Sequence, residues 1–111
     1  MQKFVHEQNL THYLMLLETE SDPPRREILR RLLVEEEDQY GSLLERLDRA
    51  ERAIARGEAR LTEQRDRIGR LDGDGHDTGL AATILANMGD SLDLMIHYRQ
   101  NLLDQTGEVD L

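Results

Sequence analysis

The sequence predicts an all-α protein of three helices with a long central one, and three observations carry that prediction. From Tyr40 to Leu71 a small or apolar residue recurs every three or four positions: Tyr40, Leu43, Leu47, Ala50, Ile54, Gly57, Leu61, Gln64, Ile68 and Leu71. That is a heptad seam, the pattern of a long helix seeking a partner helix, and at 1.5 Å rise per residue it spans roughly 50 Å. Charged residues make up 33% of the chain and aromatics only 4%, with no Trp, which suits narrow helical seams between broad solvated faces. Two clusters of turn-forming residues, Ser21 to Pro24 and Asp72 to Thr78, divide the chain into three stretches.

The first helix is expected over Phe4 to Glu20, with Leu10, Tyr13, Leu14 and Leu17 on one face and Val5 and Leu16 beside them. Glu18 and Glu20 stand at its C-terminal end, where the helix dipole disfavours acids, so that end is expected to fray. Asp22 is placed to cap the next helix, whose first turn accepts Pro23 and Pro24 because the amides that proline lacks are unbonded there. Ile28, Leu29, Leu32 and Leu33 restart the apolar stripe, and the frame of Leu33 joins that of Tyr40 without a stutter. The continuous frame favours one helix from Pro23 to Leu71, with a break near Gly41 as the main alternative. Gly41 and Gly57 each cost about 1 kcal/mol relative to Ala in a helix interior. Gly57 falls on the seam, where a missing side chain lets another helix come close.

In the turn Gly75-His76-Asp77-Thr78, Gly73 or Gly75 can adopt the left-handed conformation that ends a helix, and Asp77 or Thr78 can cap the next one. The last helix is expected from Gly79 to Asp104, with Ala81, Ile84, Leu85, Met88, Leu92, Met95 and Leu102 inward, followed by a frayed tail. The organisation is therefore a single helical domain: an N-terminal hairpin over residues 1–40, a C-terminal hairpin over 41–105 sharing the long middle helix, and a tail over 106–111. Two-helix hairpins cover their apolar residues poorly, so a homodimer is expected, with Leu43, Leu47, Ile54, Gly57, Leu61 and Ile68 at its interface.

Two stretches resemble known sequences. The first runs from Val5-His6-Glu7-Gln8-Asn9-Leu10 through His12-Tyr13 and Leu16-Leu17 to Asp22-Pro23, Arg25-Arg26 and Leu32 to Glu36. It resembles a segment of small uncharacterised helical proteins common in alphaproteobacteria. The second comprises Ala53 to Glu58, Gln64, Ile68, Leu71, Gly75 to Thr78, Leu85, Leu92 and Arg99. It is similar to another short helical family of the same bacteria, with a Gly-His-Asp-Thr turn between two helices and often a His shortly before the Arg, as His97 stands before Arg99 here. The resemblance implies helical hairpins and a bacterial source, and it implies no reaction.

Charge and composition narrow the function. The net charge is −9, and beyond Asp72 seven acidic residues face one basic residue, Arg99, a balance of −6 that would repel a nucleic-acid backbone. Between Gly41 and Asp72 eight Arg nearly balance seven acids. There is no Cys, hence no disulfide or thiolate chemistry, and no apolar run approaches the roughly 18 residues of a membrane span. Met1 to Leu10 lacks the apolar stretch of a signal peptide, so a cytoplasmic location is expected. All but one of the basic residues are Arg, a bias that fits a high-GC genome better than a functional choice.

Each tempting residue has a plainer reading beside the functional one. His76 and Asp77 could bind a metal or a partner peptide, or they could simply cap helices; adjacent turn residues make only a partial metal site. Asp93 and His97 share a helical face at the spacing of a metal clip, with His12 as a possible third ligand, but no Glu-x-x-His pair of the di-metal bundles occurs. Asn9, His12 and Tyr13 form a polar side of the first helix that suits fixing register at a contact. The acidic run Glu35 to Asp38 could imitate phosphates, or it could be a solvated face balanced by Arg25, Arg26, Arg30 and Arg31. Met88 and Met95 suit core packing, with an adaptable groove as the lesser option. No nucleophile elbow and no phosphate-cradling glycine loop is present. The expected function is non-enzymatic: a scaffold or adaptor without cofactor, metal or catalytic residues, working through protein–protein contact. The alternative is an acidic inhibitor or antitoxin-like protein that covers a basic nuclease or nucleic-acid-binding surface.

Overall fold

A computed structural model describes residues 2–109 of the chain. It is all helical, with no strand among the described residues, and has four helices: α1 (Gln2–Thr19), α2 (Pro23–Asp38), α3 (Leu43–Gly73) and α4 (Gly79–Val109). No helix is long and apolar enough to cross a membrane among the described residues.

The expected single helix from Pro23 to Leu71 is not formed; it is two helices, α2 and α3, broken at Gln39 to Ser42. Gly41 sits at φ +84°, in the left-handed region that favours glycine. Ser42 then starts α3 with a reciprocal capping box: its hydroxyl accepts from the Glu45 amide at 3.2 Å, and the Glu45 carboxylate accepts from the Ser42 amide at 3.4 Å. The heptad frame runs across the break, but satisfying the free amides of a new N-terminus outweighs one more helical turn through a glycine.

Asp22 caps α2 as expected, accepting from the Arg25 amide at 3.3 Å ahead of Pro23 and Pro24. The end of α1, expected to fray, is instead sealed by side chains from elsewhere in the chain. Arg26 donates to the carbonyls of Leu17 and Glu20 at 2.6 and 2.7 Å, and Asn87 donates to that of Glu18 at 2.8 Å. At the α3–α4 turn the glycine in the left-handed region is Gly75, at φ +79°. The His76 amide donates to Leu71 O and the Gly75 amide to Asp72 O, the paired bonds of a Schellman ending. Asp77 Oδ1 accepts from the Gly79 amide and Thr78 O from that of Ala82, which opens α4. The helix then runs past the expected end at Asp104 to Val109, taking in residues 106–109 of the expected tail; residues 110 and 111 lie outside the described residues.

α3 and α4 form one long antiparallel hairpin, and the molecule measures 57 × 27 × 24 Å. The shorter α1–α2 hairpin packs on one end of it, with α1 against both α2 and α4. The buried apolar residues all belong to that end: Leu10 and Leu17 of α1, Leu33 of α2, Ala50 and Ile54 of α3, and Met95, Tyr98 and Leu102 of α4. Between Ile54 and Met95 no apolar side chain is buried among the described residues. At the other end the two helices run on alone, and Leu61, Ile68, Leu71, Ala81, Ile84 and Leu85 are only half-covered.

Candidate functional site

The acidic run at the end of α2 is the chemical centre of the four-helix end. Successive residues on a helix point about 100° apart, so Glu36, Glu37 and Asp38 reach three different neighbours. Glu36 accepts from His6 Nδ1 at 3.1 Å and from Asn9 Nδ2 at 3.2 Å, both on α1. Glu37, buried, faces Arg49 of α3, whose Nε stands 3.5 Å from its carboxylate in an ion pair without hydrogen-bond geometry. Asp38 accepts from the Tyr98 hydroxyl of α4 at 2.9 Å and lies 3.6 Å from Arg46. The Arg residues that balance the run are Arg46 and Arg49 of α3, in place of the expected Arg25, Arg26, Arg30 and Arg31 of α2. Glu35 alone of the run keeps the purely solvated position the sequence suggests.

His6 is 2% exposed and stacks on the ring of Tyr40, with centroids 4.7 Å apart. Its Nε2 is buried without a hydrogen-bond partner. Burial pushes the Glu37 carboxyl above its ordinary range, against the pull of Arg49 and His6. Burial and the bond to Asp38 push the Tyr98 phenol up in the same way. Arg49 also donates to Tyr40 O, which ties the α2–α3 break to the network. Glu36, Glu37 and Asp38 each have a cation or donor from another helix beside them, an arrangement that sets the register of four helices.

A second polar joint lies toward the other end of α2. Asp90 of α4 accepts from Arg26 and Arg30 of α2, both at 2.6 Å. Burial alone would raise the Asp90 carboxyl, but the hydrogen bonds and charges of Arg30 and Arg26 outweigh it and hold the group below its ordinary value.

The residues expected at a dimer interface divide between the two ends. Ile54 is buried in the chain's own core, with Leu43 and Leu47 packed against it. Gly57 faces α4 so closely that an added Cβ would lie 3.3 Å from Leu92 Cδ1. Leu61 and Ile68 remain half-exposed on the distal hairpin. In the turn, His76 acts through its main chain; its ring is exposed, while Asp77 and Thr78 supply the caps. His97 Nδ1 donates to the main-chain carbonyl of Asp93 at 2.8 Å, so the two do not form a carboxylate–imidazole clip, and exposed His12 lies beside Tyr13 on α1. No three His, Asp or Glu side chains converge as a metal site among the described residues.

The sequence reading passed over one surface. From Gly79 to Gly89 the chain carries no charge at all, in a protein one-third charged. In the fold this stretch is the first part of α4 on the distal hairpin, with Leu80 75% exposed and Thr83, Ala86 and Ala82 following round the helix in solvent. The missing charges are visible in the sequence; their exposure is not. Comparison with protein-family models, curated proteins and solved structures finds no match for this chain.

Proposed function

We propose that the protein is a non-enzymatic interaction module, a scaffold or adaptor of the bacterial cytoplasm that pairs with a second copy of itself through the distal hairpin. The observation that carries this reading is the uncharged α4 surface around Leu80, continuous in sequence with the half-covered Ile84 and Leu85. Apolar side chains left half-wet on a two-helix hairpin gain about 25 cal/mol for each Å² of apolar surface that a partner covers. Small residues such as Ala82 and Ala86 let a helix approach closely. A two-fold dimer presents the same patch from both chains, and an uncharged patch meets its copy without like-charge repulsion. The expected seam thereby shortens to its distal members, Leu61 and Ile68, with α4 beside them.

The test is sedimentation equilibrium at low and high salt for the wild type and for Leu80→Glu. The wild type is expected to be dimeric in both, and the variant monomeric with unchanged helicity, since Leu80 supports nothing within its own chain. A wild type that stays monomeric at high micromolar concentration would overturn the reading. The acidic-inhibitor alternative draws less support, because the acids beyond Asp72 are spread from the turn (Asp74, Asp77) along α4 (Asp90, Asp93, Asp104), and Asp90 is already paired with two Arg.

A further inference from the structure

Between α1, α3 and α4, where the four-helix end gives way to the bare hairpin, lies a groove of about 220 Å³. Its walls are apolar: Leu14 and Met15 of α1, Ala53 and Gly57 of α3, Met88 and Leu92 of α4. The space exists because α3 offers only Ala53 and Gly57 where it passes, while longer side chains of α1 and α4 stand around the opening. Met15 and Met88 are flexible and polarisable, able to close on ligands of irregular shape.

Two polar features set this groove apart from a packing defect. Ser91 lines it, nine-tenths buried, and its hydroxyl has no hydrogen-bond partner. A buried hydroxyl without a partner costs roughly 1–3 kcal/mol, which a ligand oxygen or water would recover. The rim carries Arg56 and Arg60 against the single carboxylate of Glu18. Arg60 is held by Glu18 as an ion pair, whereas Arg56 has no ion pair or hydrogen bond among the described residues. The rim is therefore positive by one, and the free charge is Arg56.

We propose that this groove binds a small amphiphilic carboxylate, an apolar chain of about eight to ten carbons whose head group pairs with Arg56. The size follows from volume: an apolar cavity of about 150 Å³ accepts benzene, so the larger, open-ended groove here accepts a longer, slender chain. The head group follows from charge, since a planar guanidinium free of other partners recognises a carboxylate through paired N–H donors. Three helices meet around the groove, so an occupant would bridge α1 to the α3–α4 hairpin.

The test is isothermal titration calorimetry of the full chain with sodium decanoate, kept well below its micellar concentration. One decanoate per chain is expected, with 1-decanol binding at least fivefold more weakly. Arg56→Gln, on an exposed side chain, should weaken decanoate binding about tenfold, the loss typical of one charge-assisted bond. Gly57→Leu should abolish binding, because Gly57 lines the groove and a leucine there occupies it; the new Cβ, 3.3 Å from Leu92 Cδ1, needs only a shift of that side chain, and unchanged helicity is the check. Absence of saturable decanoate binding would overturn the proposal. Decanol binding as tightly as decanoate, or both variants binding like the wild type, would overturn it equally.

Discussion

At one end of the α3–α4 hairpin, α1 and α2 close over Leu17, Leu33, Ile54 and Leu102; at the other, α3 and α4 run on past Leu61 and Ile84 with only Gln64 buried between them among the described residues. The apolar spacing along α3 is the same in both halves. What differs is the number of neighbours. A helix in a pair covers one stripe and leaves both flanks wet, whereas a helix in a group of four has its flanks covered too. The side chain buried there is polar: Gln64 donates to Ala81 O at 3.0 Å across the hairpin, without the aliphatic core that surrounds the buried His6 and Glu37 network at the proximal end. Stability is thus concentrated proximally, and the distal half holds surface for a partner.

The largest expected effect tests that concentration directly. Leu102→Ala removes a side chain with no exposure and should cost about 2–5 kcal/mol in urea unfolding. In dilute protein, Ile84→Ala on the half-covered distal seam should cost only about 1 kcal/mol. Equal losses would break the comparison, since Ile84 would then be as fully covered in solution as Leu102.

Gly41→Ala comes next. The left-handed backbone at this position costs a non-glycine residue about 1–2 kcal/mol, and the new Cβ would press on Arg49 and Glu45 at 3.2 Å. A stabilising outcome with increased helicity would mean that α2 and α3 straighten into one rod, and the four-helix end would lose the fold-back that makes it.

The pH dependence separates the two polar joints. Glu37 titrates above its ordinary value, so its contribution is fully present below the unfolded value and is lost as pH rises through the folded one. Asp90 titrates below its ordinary value, so its contribution is present above the unfolded value and is lost as pH falls through the folded one. Stability measured against pH should therefore change in opposite senses for the two variants relative to the wild type. Glu37→Gln should gain on the wild type as pH rises from acid toward neutral, and Asp90→Asn should lose ground over the same rise. Parallel curves would mean that burial does not prevail at Glu37 while the two Arg prevail at Asp90.

The smallest effect is expected at Gln64. Gln64→Leu exchanges one hydrogen bond for apolar contact, a trade within about 1 kcal/mol of neutral. Amide exchange along residues 61–71 should stay faster than along 95–102 in the variant as in the wild type, because the missing flanks are not restored by one side chain. Equal exchange rates in the wild type would show the distal half to be as well supported as the proximal one.

Much of this architecture is legible in the chain. The helical class, the caps at Asp22 and Asp77-Thr78 and the inward face of α1 follow from local rules that need only neighbouring residues. The break at Gly41 was legible too, in Ser42-Leu43-Leu44-Glu45, but the unbroken heptad frame draws attention away from that capping box. The acidic run could not be placed by local reasoning. Its partners His6, Arg49 and Tyr98 lie on three other helices, and a run of acids at a helix end reads as solvent-facing until those helices are assembled. The Ser91 groove left only a faint trace, the small residues Ala53 and Gly57 one helical turn apart, which marks close approach or empty space without saying which.

Arg26 gives the arginine bias of the chain a local meaning. One guanidinium holds two carbonyls at the end of α1 and a carboxylate on α4 while its own backbone belongs to α2. A lysine ammonium is a single point of charge on a flexible stem and cannot spread across three partners with a planar fork. Whatever nucleotide composition favours arginine elsewhere in the chain, at this position the alternative codon would be read as a mechanical fault: three helices share one rivet, and lysine is the wrong shape for the hole.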